Sequence, residues 1–121
     1  MFGPRGRCSQ YCAGMSVTVE FFTIREVARR IGVAAGPSSR VLLFGSHARG
    51  EARHDSDLDF LVVQPGVADR GAEAGRLRAA VYDYRLPMDI LVIGEADIAN
   101  PSSPVVAEGL ASGIVLYEHA A

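Results

Sequence analysis

Three runs of four apolar residues, VLLF, FLVV and ILVI, set the limits on what this chain can fold into. Each has the length of a buried β-strand and falls far short of the roughly 20 residues that cross a bilayer. No membrane-spanning segment is expected. Between the runs lie apolar residues at helical spacing and clusters of Gly, Pro and Ser, the alternation of a mixed α/β domain.

In TIREVARRIGV the residues Ile24, Val27, Ala28 and Ile31 share one face and Arg25, Arg29 and Arg30 the other, which predicts an amphipathic helix over Thr23–Val33. Gly36 and Pro37 end it, and a strand follows at Arg40–Phe44. After the Gly45-Ser46 turn the polar HARGEARHD is a short helix and loop, and Asp57–Val63 is a second strand. Its rear half, from Phe60, is apolar on both faces, as in a strand buried between layers. Ala74, Leu77, Val81 and Tyr84 mark a second long helix, closed by Leu86 and Pro87. Met88–Gly94 is a third strand, apolar after its acid, then a helix runs from near Ser103 to Gly113 and IVLYE forms a last strand. The expected fold is a small mixed β-sheet flanked by α-helices, in the α/β (α+β) class.

The 121 residues suffice for one core. With a formal charge of -2 and no dense basic run, strong direct nucleic-acid binding is not expected. Residues 1–14 have arginines but no apolar signal core, so they read as a disordered leader, with Met15 a candidate natural start and 15–121 a single domain. Cys8 and Cys12 lie in that leader with no downstream pair to complete a zinc site. A cytoplasmic location is the default expectation.

Chemistry concentrates where the second strand begins. Side chains alternate along a strand, so Asp57 and Asp59 project from one face while Leu58 points into the opposite layer. Paired carboxylates repel unless a cation neutralises them, and hard divalent ions suit such oxygen donors. Asp89 opens the third strand in the equivalent place. If the two strands are neighbours, the three acids share one site, the inventory of a two-metal phosphoryl-transfer centre. Gly45 lets backbone N–H groups approach a phosphate, Ser46 adds a hydroxyl, and Arg49 adds charge on the same loop. Each piece alone reads as an ordinary turn or strand cap; their order together is much harder to obtain by accident.

GSHARGEARHDSDLD, with Gly45 and Ser46, a ten-residue spacer and then Asp57-x-Asp59, resembles the signature of the polymerase β-like nucleotidyltransferases, and more closely their minimal nucleotidyltransferase (MNT) branch. The fuller pattern is met at Gly45, Ser46, Ala48, Arg49, Gly50, Ser56, Asp57 and Asp59, and the ending AEGLASGIVLYE is similar too. The resemblance implies a nucleotidyltransferase fold. It also implies that Asp57, Asp59 and Asp89 are catalytic and hold two Mg²⁺ ions, with Mn²⁺ as a substitute, and that Asp89 accepts the acceptor's proton. Gly45 and Ser46 would hold the phosphates of ATP. Arg49 divides evenly between a phosphate contact and a loop-stiffening pair with Glu51 or Asp55.

MNT proteins are typically paired with HEPN-domain toxins, which implies an antitoxin that moves AMP onto a partner tyrosine, in a hetero-oligomer. The chain's length leaves no room for an acceptor-holding domain, which also leads to the expectation of a partner. Two alternatives stay open: a non-catalytic antitoxin that works by binding, and an enzyme acting on a small-molecule alcohol such as an antibiotic. His47 and His54 read as exposed loop residues, Asp55 as a turn residue, and Ser56 as a strand-start hydrogen bonder. Tyr82 and Tyr84 read as packing or interface residues, and Asp83 as an outward helix residue.

Overall fold

The computed structural model describes residues 20–53 and 56–119. The elements run α1 (Phe21–Ala35), β1 (Arg40–Phe44), α2 (Ser46–Arg49), β2 (Leu58–Val63), α3 (Arg70–Ala80), a 3₁₀ turn (Tyr82–Tyr84), β3 (Met88–Ile93), α4 (Ala96–Ala99), α5 (Pro104–Ser112) and β4 (Ile114–Glu118). The strands form one sheet in the order β3-β2-β1-β4. β1 is antiparallel to β2 and to β4, whereas β2 and β3 are parallel and joined through α3. The sheet is therefore mixed and flanked by helices, as the alternation of apolar runs implies.

Strand alternation sorts the core into two layers. Val41, Leu43, Leu58, Phe60, Val62 and Val92 meet Ile24, Val27, Ala28 and Ile31 of α1 and Leu77 of α3. On the other face Leu42, Phe44, Leu61, Val63 and Ile93 pack with Val106 and Leu110 of α5. β2 lies inside both layers, which is why its rear half is apolar throughout. Gly32 of α1 rests against the Tyr117 ring so closely that a Cβ there would overlap it.

Several boundaries differ from the sequence expectation, each for a local reason. α1 continues through Ala34 and Ala35, good helix formers, until Gly36 adopts a φ of 97° that ends it. α3 starts at Arg70 because Asp69 caps it, accepting from the Ala72 N–H at 3.0 Å. The helix stops before Tyr82 and continues as a 3₁₀ turn up to Arg85, which has a φ of 55°. There Arg30 pairs with Asp83 at 2.6 Å and lies 4.7 Å over the Tyr84 ring, tying α1 to the turn and giving Asp83 and Tyr84 structural work. Tyr82 stays exposed. α4 was not expected; Asp97 anchors it by accepting from the Gly94 N–H at 3.0 Å and pairing with Arg70 at 2.9 Å. β3 is an edge strand and not an interior one, so Leu91 is open to solvent. The proposed leader, with Cys8 and Cys12, lies outside the described residues, and no helix among those described is long and apolar enough to cross a membrane.

A polar clasp closes the end of the sheet away from β2's acids. Gln64 donates to the Ala35 carbonyl at 3.1 Å and to Glu73 at 2.7 Å, while Arg76 pairs with Glu73 and donates to the Ala34 carbonyl at 2.8 Å. Arg76, and after it Gln64, hold the Glu73 carboxyl down to about 2 from its ordinary 4.5. A depressed carboxylate contributes stability that is complete above the unfolded value and fades as pH falls through the folded one. Thermal melts should therefore place Glu73→Gln below the parent protein near neutrality, with the gap narrowing between about pH 4.5 and about pH 2. A gap independent of pH would remove the clasp from the explanation.

Candidate active site

β1 ends at Phe44, and its register partner on β2 is Asp59. Asp59 is in turn paired with Asp89 across the parallel β2–β3 ladder. Both carboxylates project from the α5 side of the sheet, since Asp59 alternates with Leu61 and Val63, and Asp89 with Leu91 and Ile93. They line a cleft of about 550 Å³ together with Gly45, Ser46 and Arg49. Five of the six residues singled out from the sequence are thus gathered in one hollow, with Leu91 and Val105 exposed on its rim.

The Gly45 turn is built for close approach. Its φ is 77°, a left-handed conformation that disfavours other residues, and a Cβ there would overlap the Asp59 carboxylate. The N–H groups of Ala48 and Arg49 return to the Gly45 carbonyl at 3.1 and 3.2 Å, forming the single turn of α2.

Asp57 behaves differently from the expected strand-face pair. β2 begins at Leu58, so Asp57 precedes the strand, is exposed and does not line the cleft. Its charge still reaches Asp59. The Asp59 carboxyl is pushed above its ordinary range first by burial, then by the charges of Asp89 and Asp57, with His47 and Arg49 acting in the opposite sense. Among the described residues no group of three or more His, Cys, Asp or Glu is gathered to hold a metal ion. The donor chemistry nonetheless fits a hard divalent cation: Asp59 and Asp89 share one cleft, both carry oxygen donors, and like-charge crowding is what such an ion relieves.

Two further residues belong to the site. His47 is half-buried, and its Nδ1 donates to the Asp57 carbonyl at 3.0 Å, so it ties the Gly45 turn to the segment that leads into β2. Arg49 makes the expected pair with Glu51, Nε to Oε1 at 2.9 Å, and a second one with Glu108 of α5, Nη1 to Oε2 at 2.9 Å. These carboxylates, Glu51 foremost, raise the guanidinium pKa. Glu108 stands within AEGLASGIVLYE, the ending that carries part of the resemblance, but nothing in that stretch ties it to Arg49. Ser56 accepts from the Arg53 N–H at 2.8 Å, the strand-start hydrogen bond expected of it, whereas His54 and Asp55 lie outside the described residues.

An open cleft with two registered aspartates beside a glycine turn is the architecture of a nucleotidyl-transfer domain. The chain belongs to the nucleotidyltransferase domain family, whose model matches residues 24–103. Among solved structures it is similar to a toxin–antitoxin complex with AMP-PNP, at 19% identity and a TM-score of 0.56 over 78% of this chain and 73% of that one. It is also similar to a candidate nucleotidyltransferase from Sulfolobus solfataricus, at 20% identity and a TM-score of 0.53 over 78% and 77% of the two chains. A third is a mutant of the toxin–antitoxin pair MntA–HpeT with two Asp-to-Glu changes, at 16% identity and a TM-score of 0.51 over 83% and 74%. No curated protein matches the sequence at a significant level.

Proposed function

We propose that this protein is a Mg²⁺-dependent adenylyltransferase that moves AMP from ATP to a tyrosine hydroxyl of a HEPN-domain toxin, and so acts as its antitoxin. The observation that carries the transfer chemistry is the registered pair Asp59 and Asp89 facing Gly45 and Ser46 across one cleft. The toxin partner is supported by the two similar toxin–antitoxin structures, one holding AMP-PNP. Its HEPN identity is supported by the MNT-like motif.

The Gly45 turn and the Ser46 hydroxyl would bind the β- and γ-phosphates, fixing the α-phosphate over the aspartates. Asp59 and Asp89 would hold Mg²⁺, which when bound would neutralise charge on the attacking and leaving oxygens, while Asp57, outside the cleft, adds its charge through space. Asp89, on the exposed edge strand, would take the proton of the incoming phenol. A bond forms between the phenolic oxygen and the α-phosphorus, the α–β bridging bond breaks, and pyrophosphate leaves. Exposed Leu91 and Val105 leave the rim accessible to a segment of another protein.

The test is mass spectrometry of the HEPN partner after incubation with this protein, ATP and Mg²⁺. One AMP adduct on a tyrosine is expected, lost with Asp59→Asn. A toxin that is neutralised without any mass change, equally by parent and variant, would replace transfer by neutralisation through binding. Efficient adenylylation of a small alcohol by the protein alone would move the acceptor class to small molecules.

A further inference from the structure

Arg49 is the one cation among the described residues that line the cleft, and two carboxylates hold it. Glu51 lies two positions along the same loop and travels with it. Glu108 belongs to a different element, seated by buried Val106 and by Gly109, where an added Cβ would stand 3.2 Å from Leu61 and 3.4 Å from Phe44. Its side chain is half-exposed, so the pair with Arg49 is free to open.

A triphosphate arriving at Gly45 and Ser46 meets the negative charges of Asp59, Asp89 and Glu108 in the cleft, and among the described lining residues Arg49 is the one opposing cation. A carboxylate held on the guanidinium competes with an arriving phosphate, by cancelling its charge and by occupying an Nη1–H donor and fixing its orientation. Of the two pairs, the one to Glu108 spans two elements, so opening it is what would free Arg49 from α5.

We infer that Glu108 is a positioning residue that acts through Arg49: it holds the guanidinium against α5 until a nucleoside triphosphate displaces it, so that nucleotide binding uncouples α5 from the phosphate-side turn. The inference rests on the reading of the cleft as a triphosphate site. It makes Glu108 a brake on nucleotide affinity, and its removal a gain.

Calorimetric titration of the full chain with a non-hydrolysable ATP analogue, without and with Mg²⁺, tests it. Glu108→Gln should bind about three- to fivefold more tightly than the parent without Mg²⁺, the range of an exposed ion pair. The gain should vanish in an Arg49→Ala background. A gain that persists there would reduce Glu108 to a general repulsive charge and overturn the inference, as would unchanged or weaker binding. In the unmutated protein the Arg49 Nη–H resonances should shift on adding the analogue; unmoved resonances in a protein that binds it also overturn the inference. A parent protein that binds no analogue under either condition removes the triphosphate reading itself, and this inference with it.

Discussion

Asp59→Asn is expected to lower the transfer rate by at least about 10³-fold while leaving the fold as stable as before or slightly more so. The first half rests on the proposed reaction: Asp59 is registered with Asp89, contacts the Gly45 turn and lines the cleft, so on that reading its charge sits where the reaction would develop charge. Electrostatic groups at such positions are worth several kcal/mol of barrier, and each ~1.4 kcal/mol is tenfold. The second half follows from the sign of its pKa. Burial and the neighbouring aspartates raise the folded value, so this group's contribution is favourable at low pH and is lost as pH rises through that value. At neutral pH the ionised carboxylate works against folding, and a neutral amide of the same shape removes that penalty. Single-turnover kinetics beside thermal melts check both. A variant that melts well below the parent would mean that Asp59 is a structural acid.

Phe60→Ala, one residue along, should do the opposite. Phe60 is fully buried, points into the α1–α3 layer and stands between Leu43 and Ile90 on the neighbouring strands. Truncating a buried phenylalanine typically costs about 3 to 5 kcal/mol, against a total stability of about 5 to 15 for a domain of this kind. A fall in melting temperature of roughly 15 °C or more is expected. Activity per folded molecule in the cold should survive better than in Asp59→Asn, because Phe60 touches the far side of the sheet. Urea titration with activity measured below the transition separates the two effects. A loss under about 1 kcal/mol would mean that the α1–α3 layer repacks around the gap.

Much of this fold is legible in the chain because its signals are local. The run at Arg40–Phe44 is a strand as expected, the second strand expected over Asp57–Val63 runs from Leu58, and Ser103 caps α5 through the Val106 N–H as its position before Pro104 implies. Helix ends were less legible: Asp69 capping α3 and the left-handed Arg85 after the 3₁₀ turn depend on backbone geometry that periodicity does not encode. α4 was missed because four residues carry too little periodicity, and its anchor is an ion pair between Asp97 and Arg70 of another helix.

The site divides along the same line. The turn at Gly45 and Ser46 and the acids after it stand within one short stretch, so the sequence alone determined the chemical inventory: an oxygen-rich cluster one turn from a glycine. Tertiary structure decided which of those groups meet. Only the parallel pairing of β2 with β3 brings Asp89 level with Asp59, and only the start of β2 at Leu58 leaves Asp57 outside the cleft. Only the packing of α5 on Phe44 and Leu61 carries Glu108 across to Arg49. Spacing along a chain fixes which side chains share a face, whereas contacts between distant elements depend on strand order and helix docking, which no single segment carries.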